Sequence, residues 1–386
     1  MLLTTKNWAR SLIIILILTG LLSGCGSLKL NPYSLDTKVV PLHFNIPISF
    51  DDFIYDSHLR RVIIPAGETG KVALIDPKNM NVQLISGFSQ QVDPANPIVG
   101  TSAVAVAGGF LFGLDQETKT IKTIDLSANN VVGSIPLKAA ADCIRYISAT
   151  GELWVTEKDL NQIEIFSVSE DNPPTLQSTG NISVPNGPEG LIIDDARGLA
   201  FTNRPNQSLT DVIQVMTHTV IGQWGNGCSS AKGMAVDENE GYLFVACNEG
   251  KLVVMDINND GYQITSQNYG GELDFVAYNP KLHHVYLPSS ASGIVAIFQL
   301  QTLLITPQPI NTNSPGTTPT VSPTVNPGVT PTPDFKISLL LLGTADTAIK
   351  SKCVTADDFN NIWVCDPNNG QVFVIHDTFP DNGPIP

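Results

Sequence analysis

Positive charge is scarce in this 386-residue chain: 21 Lys and Arg stand against 36 Asp and Glu, a formal charge of −15. A nucleic-acid surface needs clustered cations, so neither DNA nor RNA is an expected partner. A polybasic patch for an anionic membrane surface is also missing. Charged residues of both signs reach only 15%, while Gly numbers 31 and Pro 27, which excludes a helix-rich fold and leaves strands and turns. No apolar run reaches the ~20 residues of a comfortable membrane-spanning helix. Six His are scattered, and the adjacent His283 and His284, placed in a strand, point to opposite faces and cannot chelate together. P-loop, G-x-S-x-G and C-x-x-C-H motifs are absent, so phosphate, serine-nucleophile and haem chemistry are not announced.

What is present begins with an address. Lys6 and Arg10 precede the apolar stretch Ser11–Leu22, in the pattern of a secretory signal over residues 1–24. Leu22-Ser23-Gly24-Cys25 follows, and it resembles the lipobox of bacterial lipoproteins at every position. The resemblance implies cleavage before Cys25, a diacylglyceryl thioether on its sulfur and an acylated amine. Two or three acyl chains hold a protein at a membrane where one does not. Loss of Lys6 and Arg10 takes the mature charge to −17. The expected location is the cell envelope, on the outer membrane or the outer face of the cell membrane. Residues 25–38 read as a lipidated linker.

A repeat then occupies residues 39–380. Each unit carries a short apolar strand, a Gly/Asn/Pro turn and a second alternating strand, as in EGYLFVACNEGKLVVMDI from Glu240 to Ile257. Anchored on Val62, Leu111, Leu153, Leu199, Leu243, Val285 and Ile362, the intervals are 49, 42, 46, 44, 42 and 77 residues. The last contains a 29-residue stretch, Thr306–Asp334, with 8 Pro and 8 Thr and no apolar periodicity; without it the interval is 48. Such a stretch cannot bury enough surface to fold and reads as a disordered insertion within blade six. A period of 40–50 residues with four strands per unit marks a β-propeller. The fold class is therefore all-β, with seven blades of strands a to d counted outward. The seventh unit runs out of chain after strand c, and Val39–Ile48 is expected to supply its outer strand from the N-terminus. Residues 381–386 form a tail. The units from Ala235 to Ile257 and from Tyr278 to Leu300 resemble YVTN-repeat propellers of bacteria, related to NHL-type repeats.

Six Cys occur, with Cys25 assigned to lipid. Strands a and b are antiparallel neighbours, so the start of one lies near the end of the other. Cys228–Cys247 and Cys353–Cys365 fall at such places and are expected to pair in an oxidising compartment. Cys143 is left over as a buried thiol.

Aligning strand a across the repeats gives one residue per blade at the channel mouth: Asp51, Ser102, Arg145, Glu189, Lys232, Asp274 and Lys352. Three acids, three bases and one hydroxyl would face a common axis, either pairing among themselves or receiving a small zwitterionic ligand or a peptide loop. Asp256, Asn258 and Asp260 match the first half of a calcium loop, D-x-N-x-D-G, but Gln267 stands where a bidentate Glu belongs. The same residues serve a hairpin turn without any ion. No cofactor is expected, calcium being the one candidate. The first reading is a lipid-anchored propeller that binds or scaffolds a protein or small ligand. The alternative is a metal-dependent hydrolase resembling the gluconolactonase propellers. Asn186, Glu189 and Asp194 echo that family's ligands, yet they crowd into one repeat where the family spreads them over several.

Overall fold

Strands buried between neighbours need apolar side chains on both faces, and strands b and c of each repeat supply them, with a few buried polar residues such as Glu164, Thr202 and Asp211 among them. In the computed structural model, which describes residues 33–44, 46–93, 95–305 and 334–381, these strands sit at the centre of seven sheets. Each sheet holds four antiparallel strands in the order a-b-c-d. The sheets span residues 54–86, 101–136, 144–183, 189–225, 231–268, 277–346 and 354–376. Neighbouring blades touch in chain order through their inner strands, and strand a of blade seven touches strand a of blade one, so the ring is closed. The protein is a seven-bladed β-propeller.

Period-two alternation explains the packing. In strand b of blade three, Glu152–Glu157, Leu153 and Val155 face blade two, where they meet Phe112 and Leu114. Trp154, between them, faces blade four and meets Ala200 and Ile213. Strand b of blade five repeats the division: Leu243 and Val245 pack toward blade four, and Phe244 and Ala246 toward blade six. Seven hydrophobic clusters result, one between each pair of neighbouring blades. Face-to-face burial, at about 25 cal/mol per Å² of apolar surface, thus holds the blades together, and individual hydrogen bonds between sheets add to it.

The outer strand of blade seven does come from the N-terminus, but it is Thr37–Val40, pairing antiparallel with Gln371–His376. Pro41 has no N–H to continue the ladder, so the strand ends there. Leu42, Ile48 and Phe50 instead fill the cluster between blades seven and one. A second N-terminal strand, Tyr33–Leu35, falls in the segment read as a linker. It adds to blade six as a fifth strand, parallel to Asp334–Asp346. Strand d of blade six is Asp334–Asp346 and pairs with Ile294–Ile305. Cys25, the signal segment and residues 306–333 of the Pro/Thr-rich stretch lie outside the described residues.

Both disulfides form as expected, Cys228–Cys247 and Cys353–Cys365, with Cα separations of 5.3 and 5.5 Å. Cys143 is free and buried. Burial pushes its thiol well above the ordinary range, which leaves almost no thiolate. Denatured but unreduced, the chain with Cys25→Ser is therefore expected to show one reactive thiol by Ellman titration; five would refute the pairing. Replacing either Cys pair by Ser should cost about 3 kcal/mol, following the loop-entropy relation.

Candidate functional site

Strand a of every blade begins at the same end of the channel, so the residues that open these strands converge. Six of the seven expected residues line one cavity of about 290 Å³: Asp51, Arg145, Glu189, Lys232, Asp274 and Lys352. Ser102 lines an adjoining recess of about 500 Å³, which shares Asp51, Asp142 and Lys352 with the cavity.

Three of these residues are aimed by β-bulges, where one extra residue re-directs the strand. The register of strands a and b shifts between Thr101 and Val104, between Glu189 and Ile192, and between Ala231 and Met234. Ser102, Glu189 and Lys232 sit in or at the edge of these shifts. Glycine makes two of the bulges possible. Gly190 has φ +66°, and a Cβ on Gly233 would lie 2.7 Å from the Asp274 carbonyl oxygen. The Gly233 N–H donates to that same oxygen at 2.7 Å, tying blade five to blade six.

The charges pair. Lys352 contacts Asp51 at 3.2 Å and Asp274 at 3.0 Å. Lys232 donates to Glu189 at 2.7 Å, and Lys158 donates to the other oxygen of the same carboxylate. Arg145 donates to Asp52 through both terminal nitrogens. Burial alone would raise Glu189, but the hydrogen bonds from the two lysines outweigh it and hold the carboxyl below its ordinary value. Burial works against Lys352 too, and Asp51 and Asp274 overcome it, so the ammonium is held above its usual range.

Asp52, Asp142 and Lys158 were not in the expected ring. An alignment of strand a yields one residue per blade, so the second carboxylate beside Asp51 was invisible to it. Lys158 comes from another element, the turn Lys158–Leu160 between strands b and c of blade three. Asp142 precedes its strand by two residues, outside the aligned column.

Burial pushes Asp51 up to about 7, against the pull of Lys352. A carboxyl raised in the folded state binds its proton more tightly there than in the unfolded chain. The stabilisation is complete below the unfolded value of about 3.9 and is lost as pH rises through the folded value. Asp51→Asn keeps an acceptor for Lys352 but cannot titrate. Its melting temperature should therefore gain on that of the parent between about pH 4 and about pH 8. A constant difference over that range would contradict the assignment.

The calcium-like segment is the c–d hairpin of blade five. Asp256 caps a short 3-10 turn by accepting from the Asn258 N–H, and Asp260 and Gly261 follow with φ of 47° and 71°. Arg197 Nε donates to Asn258 Oδ1, so this oxygen already faces a cation. Trp224 covers Gly261 so closely that a Cβ would lie 2.2 Å from the ring. The turn chemistry accounts for all four residues. Calcium and EDTA are each expected to leave the melting curve unchanged, and a calcium-dependent rise would reverse this reading. The residues of the lactonase-like echo separate: Glu189 faces the cavity, while Asp194 is fully buried and bound to Arg197.

No family model matches the sequence, and no curated protein matches it. Solved structures do match, sharing the fold at low identity. A chain of the mitotic checkpoint complex superposes with TM-score 0.64 at 9% identity, over 90% of this chain and 92% of that one. The WD40 repeats of RRP9 give 0.64 at 11%, over 90% and 98%. Hydrazine synthase of Kuenenia stuttgartiensis gives 0.61 at 13%, over 92% and 99%. At such identities the likeness is one of architecture, that of WD40-like propellers.

Proposed function

We propose that this protein is a lipid-anchored propeller of the bacterial cell envelope, built on YVTN-type repeats, whose channel mouth binds a polar group of a protein or small ligand. The observation that carries the binding reading is the charged cavity where six blades converge. A pocket built from loop ends on a rigid scaffold is where propellers and similar folds place their ligands. The four cations are each held by protein carboxylates, which pre-orders the walls rather than leaving catalytic groups loose. The anchoring reading rests on the Leu22–Cys25 motif.

Two experiments test it. A photoreactive phenylalanine analogue at Val99, half-exposed beside the recess, should give an adduct in cells. The same analogue at Ile221, exposed on the outer strand of blade four, should not. Equal labelling, or none from Val99, would remove the channel mouth as the binding face. The full-length chain should take up labelled palmitate in cells, and Cys25→Ser should take up none. Equal uptake would end the anchor reading.

A further inference from the structure

Charge at the channel mouth does not balance. Four cations, Arg145, Lys158, Lys232 and Lys352, meet four carboxylates, Asp52, Glu189, Asp51 and Asp274. The recess adds one charge of each sign, Glu68 and Lys350, and a further carboxylate, Asp142, lines both the cavity and the recess. Among the described residues its side chain makes no hydrogen bond and no salt bridge. Burial first, and then the nearby Glu189, push this carboxyl above its ordinary value, so the surroundings favour its neutralisation. A second group in the same recess lacks a partner. Ser102 is only 3% exposed, and its Oγ has no hydrogen-bond partner among the described residues. A buried hydroxyl left unpaired is costly, and a ligand donor in the recess would relieve that cost.

We propose that the recess seats a primary ammonium group, with Asp142 as its counter-ion and Ser102 Oγ as an acceptor. The proposal rests on the channel mouth being the binding face. An ammonium carries one positive charge and three N–H donors on a single centre, which suits one carboxylate and a neighbouring hydroxyl oxygen. An anion would face an uncompensated carboxylate. A divalent metal would ask for six or more oxygens, against one carboxylate without a partner. A quaternary ammonium could neutralise Asp142 but could not donate to Ser102. The ammonium can belong to a free amine or to a lysine side chain of a protein, and the two are distinguished below.

The test is titration calorimetry of the full-length chain in nonionic detergent, at matched ionic strength. The probes are n-butylammonium, Nα-acetyl-lysine methylamide and tetramethylammonium. Both primary ammonium probes should bind saturably, with affinities in about the millimolar range expected for so few atoms. Tetramethylammonium should bind at least about tenfold more weakly. Asp142→Asn should lose about tenfold or more in affinity for the better probe, and Ser102→Ala about threefold to tenfold. Asp142→Asn should melt no lower than the parent, because it removes a buried unpaired carboxylate. A purely structural Asp142 would instead lower the melting temperature. Preference for the lysine derivative would assign the ammonium to a protein partner, and preference for butylammonium to a free amine. No saturable binding, equal binding by tetramethylammonium, or full affinity in Asp142→Asn would overturn the proposal. If these fail while the Val99 adduct persists, the binding face stands and the ammonium alone is lost.

Discussion

A chain beginning at Pro41 is expected to melt about 10 °C below the intact protein. The missing residues supply the outer strand of blade seven and the fifth strand of blade six. Leu35 and Val40 are 7% and 3% exposed, each buried side chain being worth about 1.5–3 kcal/mol. With the lost ladder hydrogen bonds the total is about 5 kcal/mol, and about 2 °C per kcal/mol is usual for a domain of this size. The truncation also unpairs Gly343–Ala345 and Val372–Ile375 at two sheet edges, so the truncated chain should aggregate on heating. Val40→Asp in the intact chain separates the two effects, since it should lose about 3 kcal/mol without baring the whole edge. An unchanged melting temperature on truncation would show that closure rests on strands a to c alone.

Asp377→Ala should destabilise the protein by about 4 kcal/mol, measured by urea unfolding. Asp377 is 3% exposed and lies at the join of blades six and seven. Its Oδ2 meets His284 Nδ1 at 2.8 Å and accepts from the Tyr286 hydroxyl at 2.8 Å. Its Oδ1 accepts from the Phe379 N–H at 3.0 Å. His284 and Tyr286 are both fully buried, so removing the carboxylate strands two polar groups where water cannot reach. Asp377→Asn retains an acceptor oxygen and should lose only about half as much. Equal losses for the two variants would assign the effect to charge rather than to unpaired donors.

The blades were legible because an apolar strand, a turn and a second, alternating strand recur at nearly even intervals along the chain. Their period survived even where a 29-residue stretch interrupts it. Closure was legible in outline. A missing seventh outer strand had to come from somewhere, but Val39–Ile48 overshot, because Pro41 breaks the ladder. Tyr33–Leu35 was not legible: three residues, two of them exposed, show no alternation. The channel ring was legible as a column of the repeat alignment, and the bulges limited what that column could show. A bulge places two residues opposite one, so a column cannot tell which of them turns inward. Nor can it find Lys158, which reaches the cavity from a turn. That Asp142 is the carboxylate without a partner depends on where every other charge points, and spacing along the chain carries no such information.

The N-terminal strands also set an order in time. Thr37 pairs with Ile375, 338 residues later in the chain. During synthesis at about 5–20 residues per second, the first-made strand waits roughly 20–70 seconds for its partner to exist. Through that interval the other blades can stack from the N-terminal side, each burying a face against the last, while the ring stays open. The last strands made then complete blade seven and admit the first. The propeller is therefore a fold that finishes only when its whole chain is available, and an exported, threaded chain would reach its closed form only after the final strand has crossed.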